Sequence, residues 1–164
     1  MKAEIDQSGK IEQTHLDTVI GLSNDEKISV CIPRKLKREL LVEFRVARSE
    51  RIMSQLLFAF GVAMILVMYG KPNRVVVDTE YYKHEGLLTK WINVFLKQMR
   101  PTSIYNFSFK QIGKLSPAHT YCKKVAHKEV VPTKAVTQAE MNIYIMPLLA
   151  QKKTESRIHG QRSA

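Results

Sequence analysis

The feature that most constrains this chain is a run of eighteen residues without a formal charge, 52–69. That length reaches the lower bound for a helix crossing the hydrocarbon core of a bilayer. Two details argue for a different setting. Ser54 and Gln55 interrupt the start of the run, and both flanks are basic, with Arg48 and Arg51 before it and Lys71 and Arg74 after it. Symmetric basic flanks lack the bias that orients a single membrane span. A central helix covered on nearly all sides by a sheet and other helices explains the same composition. The expectation is a buried core helix, with no stable membrane insertion.

Such a helix needs a shell, and the residues around it supply one. Residues 1–14 alternate charged and apolar side chains around Ser8-Gly9, the pattern of a tight hairpin. Two further strands follow, 18–22 and 27–32, joined by the polar turn Ser23-Asn24-Asp25-Glu26. Pro33 opens a helix in which Leu36, Leu40, Leu41 and Phe44 recur at helical spacing. After Gly70-Lys71-Pro72-Asn73, residues 74–78 read as a buried strand, three valines before a carboxylate. An amphipathic helix over 87–99 and a half-buried strand over 103–111 come next. Ser116-Pro117 marks another helix start, running to about His127, with a shorter helix over 138–149. The order is β-β-β-α-β-α-β-α, antiparallel strands first. It predicts one α/β domain over 1–150 with a mixed sheet flanked by helices, and a basic, disordered tail over 151–164.

Charge points to the partner. The 164 residues carry 26 Lys and Arg against 15 Asp and Glu, a formal net charge of +11. So many like charges gain most on a polyphosphate, so nucleic acid (RNA, DNA or a hybrid) is the expected partner, with acidic membranes and ribosomal surfaces as the plainer readings. Arg34, Lys35, Lys37 and Arg38 would form one basic helix face, with Arg45 beyond them. Lys114, in Ile112-Gly113-Lys114 before a helix start, and Lys123 one turn into that helix are further phosphate contacts. The loop lacks the full P-loop pattern. Tyr81, Tyr82 and His84 offer ring faces to unpaired bases, or pack as ordinary loop aromatics. Cys31 and Cys122 match no metal or redox spacing and read as small buried residues. With no secretory pattern at the N-terminus, a reducing cytoplasmic setting is expected.

Chemistry centres on two aspartates. Asp6 ends the first strand and Asp78 ends the valine strand. Carboxylates at matching ends of adjacent strands converge, and they repel unless a cation such as Mg²⁺ or Mn²⁺ lies between them. Taken singly, each is also explained as a turn or strand-end residue. Glu80, two residues on, would point to the same side as Asp78 and add a third oxygen. Glu39 and Glu43, one turn apart, offer a further carboxylate or a salt-bridged helix face. His119, in the first turn of its helix, is a candidate ligand or base or a purely structural residue.

With these residues placed, the chain resembles the ribonuclease H-like superfamily. The resemblance covers about residues 1–130 and rests on Ile5-Asp6-Gln7-Ser8-Gly9 and Val77-Asp78-Thr79-Glu80. It implies three antiparallel strands followed by alternating helices and strands, with Asp6 and Asp78 as catalytic carboxylates. It also implies an acid on the first helix, for which Glu39 or Glu43 stands, and a final acid on the C-terminal helix, where this chain has His119. The expected function is a divergent nucleic-acid-handling protein that hydrolyses phosphodiesters with a divalent metal. The catalytic set would be Asp6, Asp78 and His119, and the metal set Asp6, Asp78 and Glu80. A non-catalytic nucleic-acid-binding module of the same fold is the alternative.

Overall fold

A computed structural model describes residues 2–162. Its sheet is mixed. Six strands lie in the order β5-β4-β1-β2-β3-β6. They are β1 (Ala3–Ser8), β2 (Thr18–Ser23), β3 (Lys27–Ile32), β4 (Val75–Val77), β5 (Phe107–Phe109) and β6 (Lys134–Ala135). Strand β2 is antiparallel to both β1 and β3, whereas β4 is parallel to β1, β5 to β4 and β6 to β3.

Period-two alternation gives the sheet two apolar faces. Ala3, Ile5, Ile20, Leu22, Val30, Ile32, Val75 and Val77 join the main core on one face. That core is organised by α2 (Glu50–Tyr69), packed among α1 (Arg34–Val46), α3 (Glu85–Met99) and the sheet. Residues 52–69 are therefore the buried helix expected from their composition: most of α2 lies inside the protein, although by length alone it could span a bilayer. On the opposite face, Val19 meets Tyr121, Cys122 and Val125 of α4 (Pro117–Ala126). Ser116 caps α4, accepting from the Ala118 N–H at 3.1 Å and donating to Glu4 Oε2 at 2.7 Å. One hydroxyl thus ends the helix and ties it to the central strand.

Two local expectations are corrected. Residues 1–14 are not a hairpin, because β1 pairs with β2 in the register Glu4↔Ser23 to Ser8↔Val19. Gly9 has φ +72°, and a Cβ there would collide with the Asp17 carbonyl, so the chain turns away into a loop over 9–17. Within that loop Ile11 is a single buried anchor in the main core. The second correction concerns the C-terminus. Helix α5 (Gln138–Tyr144) stops before Pro147, which cannot donate to its ladder, and α6 (Met146–Arg162) begins there and runs through most of the segment expected to be disordered. Residues 151–158 contain neither Gly nor Pro and are rich in Lys, Gln, Glu and Arg, good helix formers. Residues 163 and 164 of that segment lie outside the described residues.

Candidate metal centre

The parallel pairing of β1 and β4 builds the site. Its register places Ile5 opposite Val77. The next residue on each strand is an aspartate, and the Asp78 N–H continues the ladder by donating to the Ile5 carbonyl at 2.9 Å. Since Ile5 and Val77 both point into the main core, Asp6 and Asp78 turn to the opposite face, beneath α4. Beyond Asp78 the backbone bends, with the Glu80 N–H donating to the Asp78 carbonyl at 3.0 Å. One carboxylate oxygen from each of Asp6, Asp78 and Glu80 lies within 4.8 Å of the other two.

Each aspartate is held. Asp6, only 3% exposed, accepts the Gln7 N–H at 2.7 Å on Oδ1 and meets His119 Nδ1 at 2.7 Å on Oδ2. Asp78 Oδ1 accepts the Ile112 N–H at 2.9 Å. The loop carrying Lys114 is thereby fastened to the site, and Lys114 itself is exposed. Cys122 backs the strand, its thiol donating to the Asp6 carbonyl at 3.2 Å, and burial raises that thiol's pKa.

The electrostatics are those of negative charges crowded together. Burial raises the Asp6 pKa and repulsion from Asp78 adds to it, while the Gln7 N–H and His119 pull it back. Burial, then Asp6 and Asp78, push Glu80 up to about 7, with Lys10 opposing. Three oxygen donors at this spacing could hold a metal ion, whose charge would offset the repulsion and the cost of burial.

The other expected residues separate. Glu39 and Glu43 lie exposed on α1 and are not part of the acidic group, because the inward stripe of that helix is Leu36, Lys37, Leu40 and Phe44. Lys37 is corrected outright: it is fully buried and cannot grip a phosphate. Its spacing to Leu40 and Phe44 turns it inward, where its Nζ donates to the Lys10 carbonyl (3.2 Å), the Gln13 carbonyl (2.9 Å) and Thr18 Oγ1 (2.8 Å). Arg34, Lys35 and Arg38 are exposed on α1, and Lys123 is exposed on α4. Tyr81 packs edge-on against Phe58 at 5.4 Å, while Tyr82 is 74% exposed and His84 is exposed beside it. Cys122 is buried, Cys31 half-buried, and both are free thiols.

Sequence reading missed the loop that follows Asp6. Gln7, Lys10 and Glu12 line a cavity of about 320 Å³ with Glu80 and Tyr81. The signal was proximity alone: Gln7 follows Asp6 within β1, and Lys10 and Glu12 lie just past its end.

No family model, curated protein or solved structure matches the chain. What the site can do therefore has to be argued from its own geometry.

Proposed function

We propose that this protein is a divergent ribonuclease H-like, nucleic-acid-handling enzyme that hydrolyses phosphodiesters with Mg²⁺ or Mn²⁺. The observation carrying the reading is the convergence of Asp6, Asp78 and Glu80 oxygens within 4.8 Å, where β4 ends beside Asp6; β1 itself continues to Ser8, so Asp6 lies inside its strand and not at its end as the sequence suggested. The strand order supports the fold assignment: antiparallel β1, β2 and β3 come first, then β4 is added in parallel beside β1 and β5 in parallel beside β4. The net charge of +11 supports a polyanionic substrate.

In this reading Asp6, Asp78 and Glu80 hold the metal, which supplies Lewis-acid stabilisation and activates water. His119 orients Asp6 through Nδ1 and has its second ring nitrogen available for a proton. Lys114, Lys123 and the exposed α1 cations Arg34, Lys35 and Arg38 would contact backbone phosphates. A cytoplasmic setting accords with two unpaired cysteines.

The test is cleavage of labelled single-stranded, duplex, hybrid and branched substrates in Mg²⁺ and in Mn²⁺. Asp6→Asn and Asp78→Asn should each lose at least about 100-fold in rate while retaining substrate binding. Variants that cut like wild type would end the proposal. The second reading, a binding module without catalysis, is favoured by one observation: an imidazole stands beside Asp6 where the resemblance implies an acid. It predicts salt-dependent binding by wild type and no cutting in either metal.

A further inference from the structure

A cavity of about 450 Å³ opens where the α1–α2 corner faces α6, lined by Val46, Ala47, Arg48, Lys153 and Arg157. Three of its five lining residues are cations, and none of the three is in an ion pair among the described residues. Lys153 and Arg157 are one helical turn apart and so share a face of α6. Glu155, between them in sequence, does not line the cavity.

The third cation is placed by an unusual backbone. Arg48 has φ +52°, a left-handed conformation that costs a residue with a Cβ roughly 1 kcal/mol. It is held there by Arg48 N–H to the Arg45 carbonyl (2.9 Å), Ser49 N–H to the Phe44 carbonyl (2.8 Å) and Ser49 Oγ to the Ala47 carbonyl (3.1 Å). The first two bonds are the ordinary left-handed termination of a helix, and they place Arg48 just beyond the last turn of α1.

Glu12 lines both the cavity at Glu80 and the next one, which reaches Arg45. Val46, adjacent to Arg45 in the chain, opens the cationic cavity. The cationic cavity has no lining residue in common with these two, and only the chain step from Arg45 to Val46 relates them.

We propose that Arg48, Lys153 and Arg157 form a second binding site, for backbone phosphate of the nucleic acid, which anchors the strand away from the carboxylates. The proposal rests on the nucleic-acid reading above and adds a site to it. An anchor here engages single strands and duplexes alike, because it reads phosphate and not bases.

The test is fluorescence-anisotropy binding of labelled DNA and RNA oligonucleotides in EDTA, across a salt series. Arg48→Gln/Lys153→Gln/Arg157→Gln should lose tenfold or more in affinity, and its slope of log affinity against log salt should fall by about two to three relative to wild type. Arg157→Gln alone should lower that slope by about one. A charge-matched control, Lys90→Gln/Lys97→Gln/Arg100→Gln on and beside α3, should lose far less. Equal losses in the pocket and control variants, or none in the pocket variant, overturn the site while leaving the proposed function standing. No binding by wild type overturns both. Preferential binding to phosphatidylserine vesicles through these three residues overturns the nucleic-acid assignment.

Discussion

His119 Nδ1 lies 2.7 Å from Asp6 Oδ2, joining the first turn of α4 to the central strand β1. The contact is short for a nitrogen–oxygen bond and one partner is almost wholly buried, so it orients the carboxylate firmly. Removing a partner that orients a metal ligand typically costs 10–100-fold in affinity or activity. For the proposed activity, His119→Ala should therefore raise the Mg²⁺ concentration for half-maximal cleavage and lower the maximal rate by about that factor. His119→Gln retains a donor and should lose less. Equal metal titrations for wild type and His119→Ala would leave the imidazole no part in the site.

Crowded carboxylates also tie stability to pH. Burial and neighbouring charge raise Asp6 and Glu80 above their ordinary values, Glu80 from 4.5 to about 7. A carboxyl raised in the folded state binds protons that the unfolded chain has released, so its contribution is full below pH 4.5 and lost as pH rises through about 7. The Tm of metal-free protein should fall over that window. Glu80→Gln should flatten the fall and recover on the order of 1–2 kcal/mol at pH 8. Added Mg²⁺ or Mn²⁺ should raise Tm more at pH 8 than at pH 5, and much less in Asp78→Asn. Thermal melts across pH, with and without metal, check all three outcomes.

Much of this arrangement was legible because it depends on pattern. Three valines before Asp78 can only be a buried strand, and Asp6 at the end of a short alternating segment matches it. The uncharged run over 52–69 had to be covered, and the sheet with α1 and α3 covers it. Ser116-Pro117 announced α4 through its cap, which fixed the turn carrying His119. What escaped depends on long-range partners. Lys37 reads as a surface cation until the loop over 9–17 presents carbonyls to its inward face. Ile11 reads as a strand residue because one buried apolar side chain looks the same in a loop. Gln7, Lys10 and Glu12 carry no motif, and only the turn at Gly9 brings Lys10 and Glu12 back to Glu80. The cation site at Arg48 needs residues about 100 positions apart, beyond any local signal.

Strand β2 and α4 meet at Gly21. A Cβ there would lie 2.7 Å from Cys122 Sγ and 3.2 Å from Tyr121 Cδ1. Both side chains are buried in the small core under α4, so neither has free space to move into. Gly21→Ala should push α4 outward, at a cost of about 1–3 kcal/mol for overpacking. His119 rides on the same helix, so the proposed cleavage should fall along with stability. Cys122→Ala removes the nearest clashing atom. The double variant should therefore be more stable than the sum of the two single changes, in urea unfolding of all four proteins. Simple additivity would mean that the helix and strand are not in tight contact.

The clamp at Lys37 links the core to the loop beside the site. Its Nζ is bound by the Lys10 and Gln13 carbonyls and by Thr18 Oγ1, and the side chain is fully buried. Lys37→Met preserves the stem and removes the charge, but leaves the two carbonyls without this donor. Losing their partner should outweigh the relief of desolvation, for a net destabilisation of about 2–3 kcal/mol near pH 7. The pH dependence separates the two effects. Burial lowers Lys37 from 10.5 to about 8, so between those values the unfolded chain binds the proton more tightly than the folded one. Wild type should therefore gain stability relative to Lys37→Met as pH rises from about 8 to 10.5, the neutral amine still donating without the cost of a buried charge. Loosening of residues 9–17 should appear as faster amide exchange there, with Lys10 and Glu12 no longer held near Glu80. A Lys37→Met protein equal to wild type in stability, with unchanged exchange in the loop, would show that the buried ammonium fastens nothing.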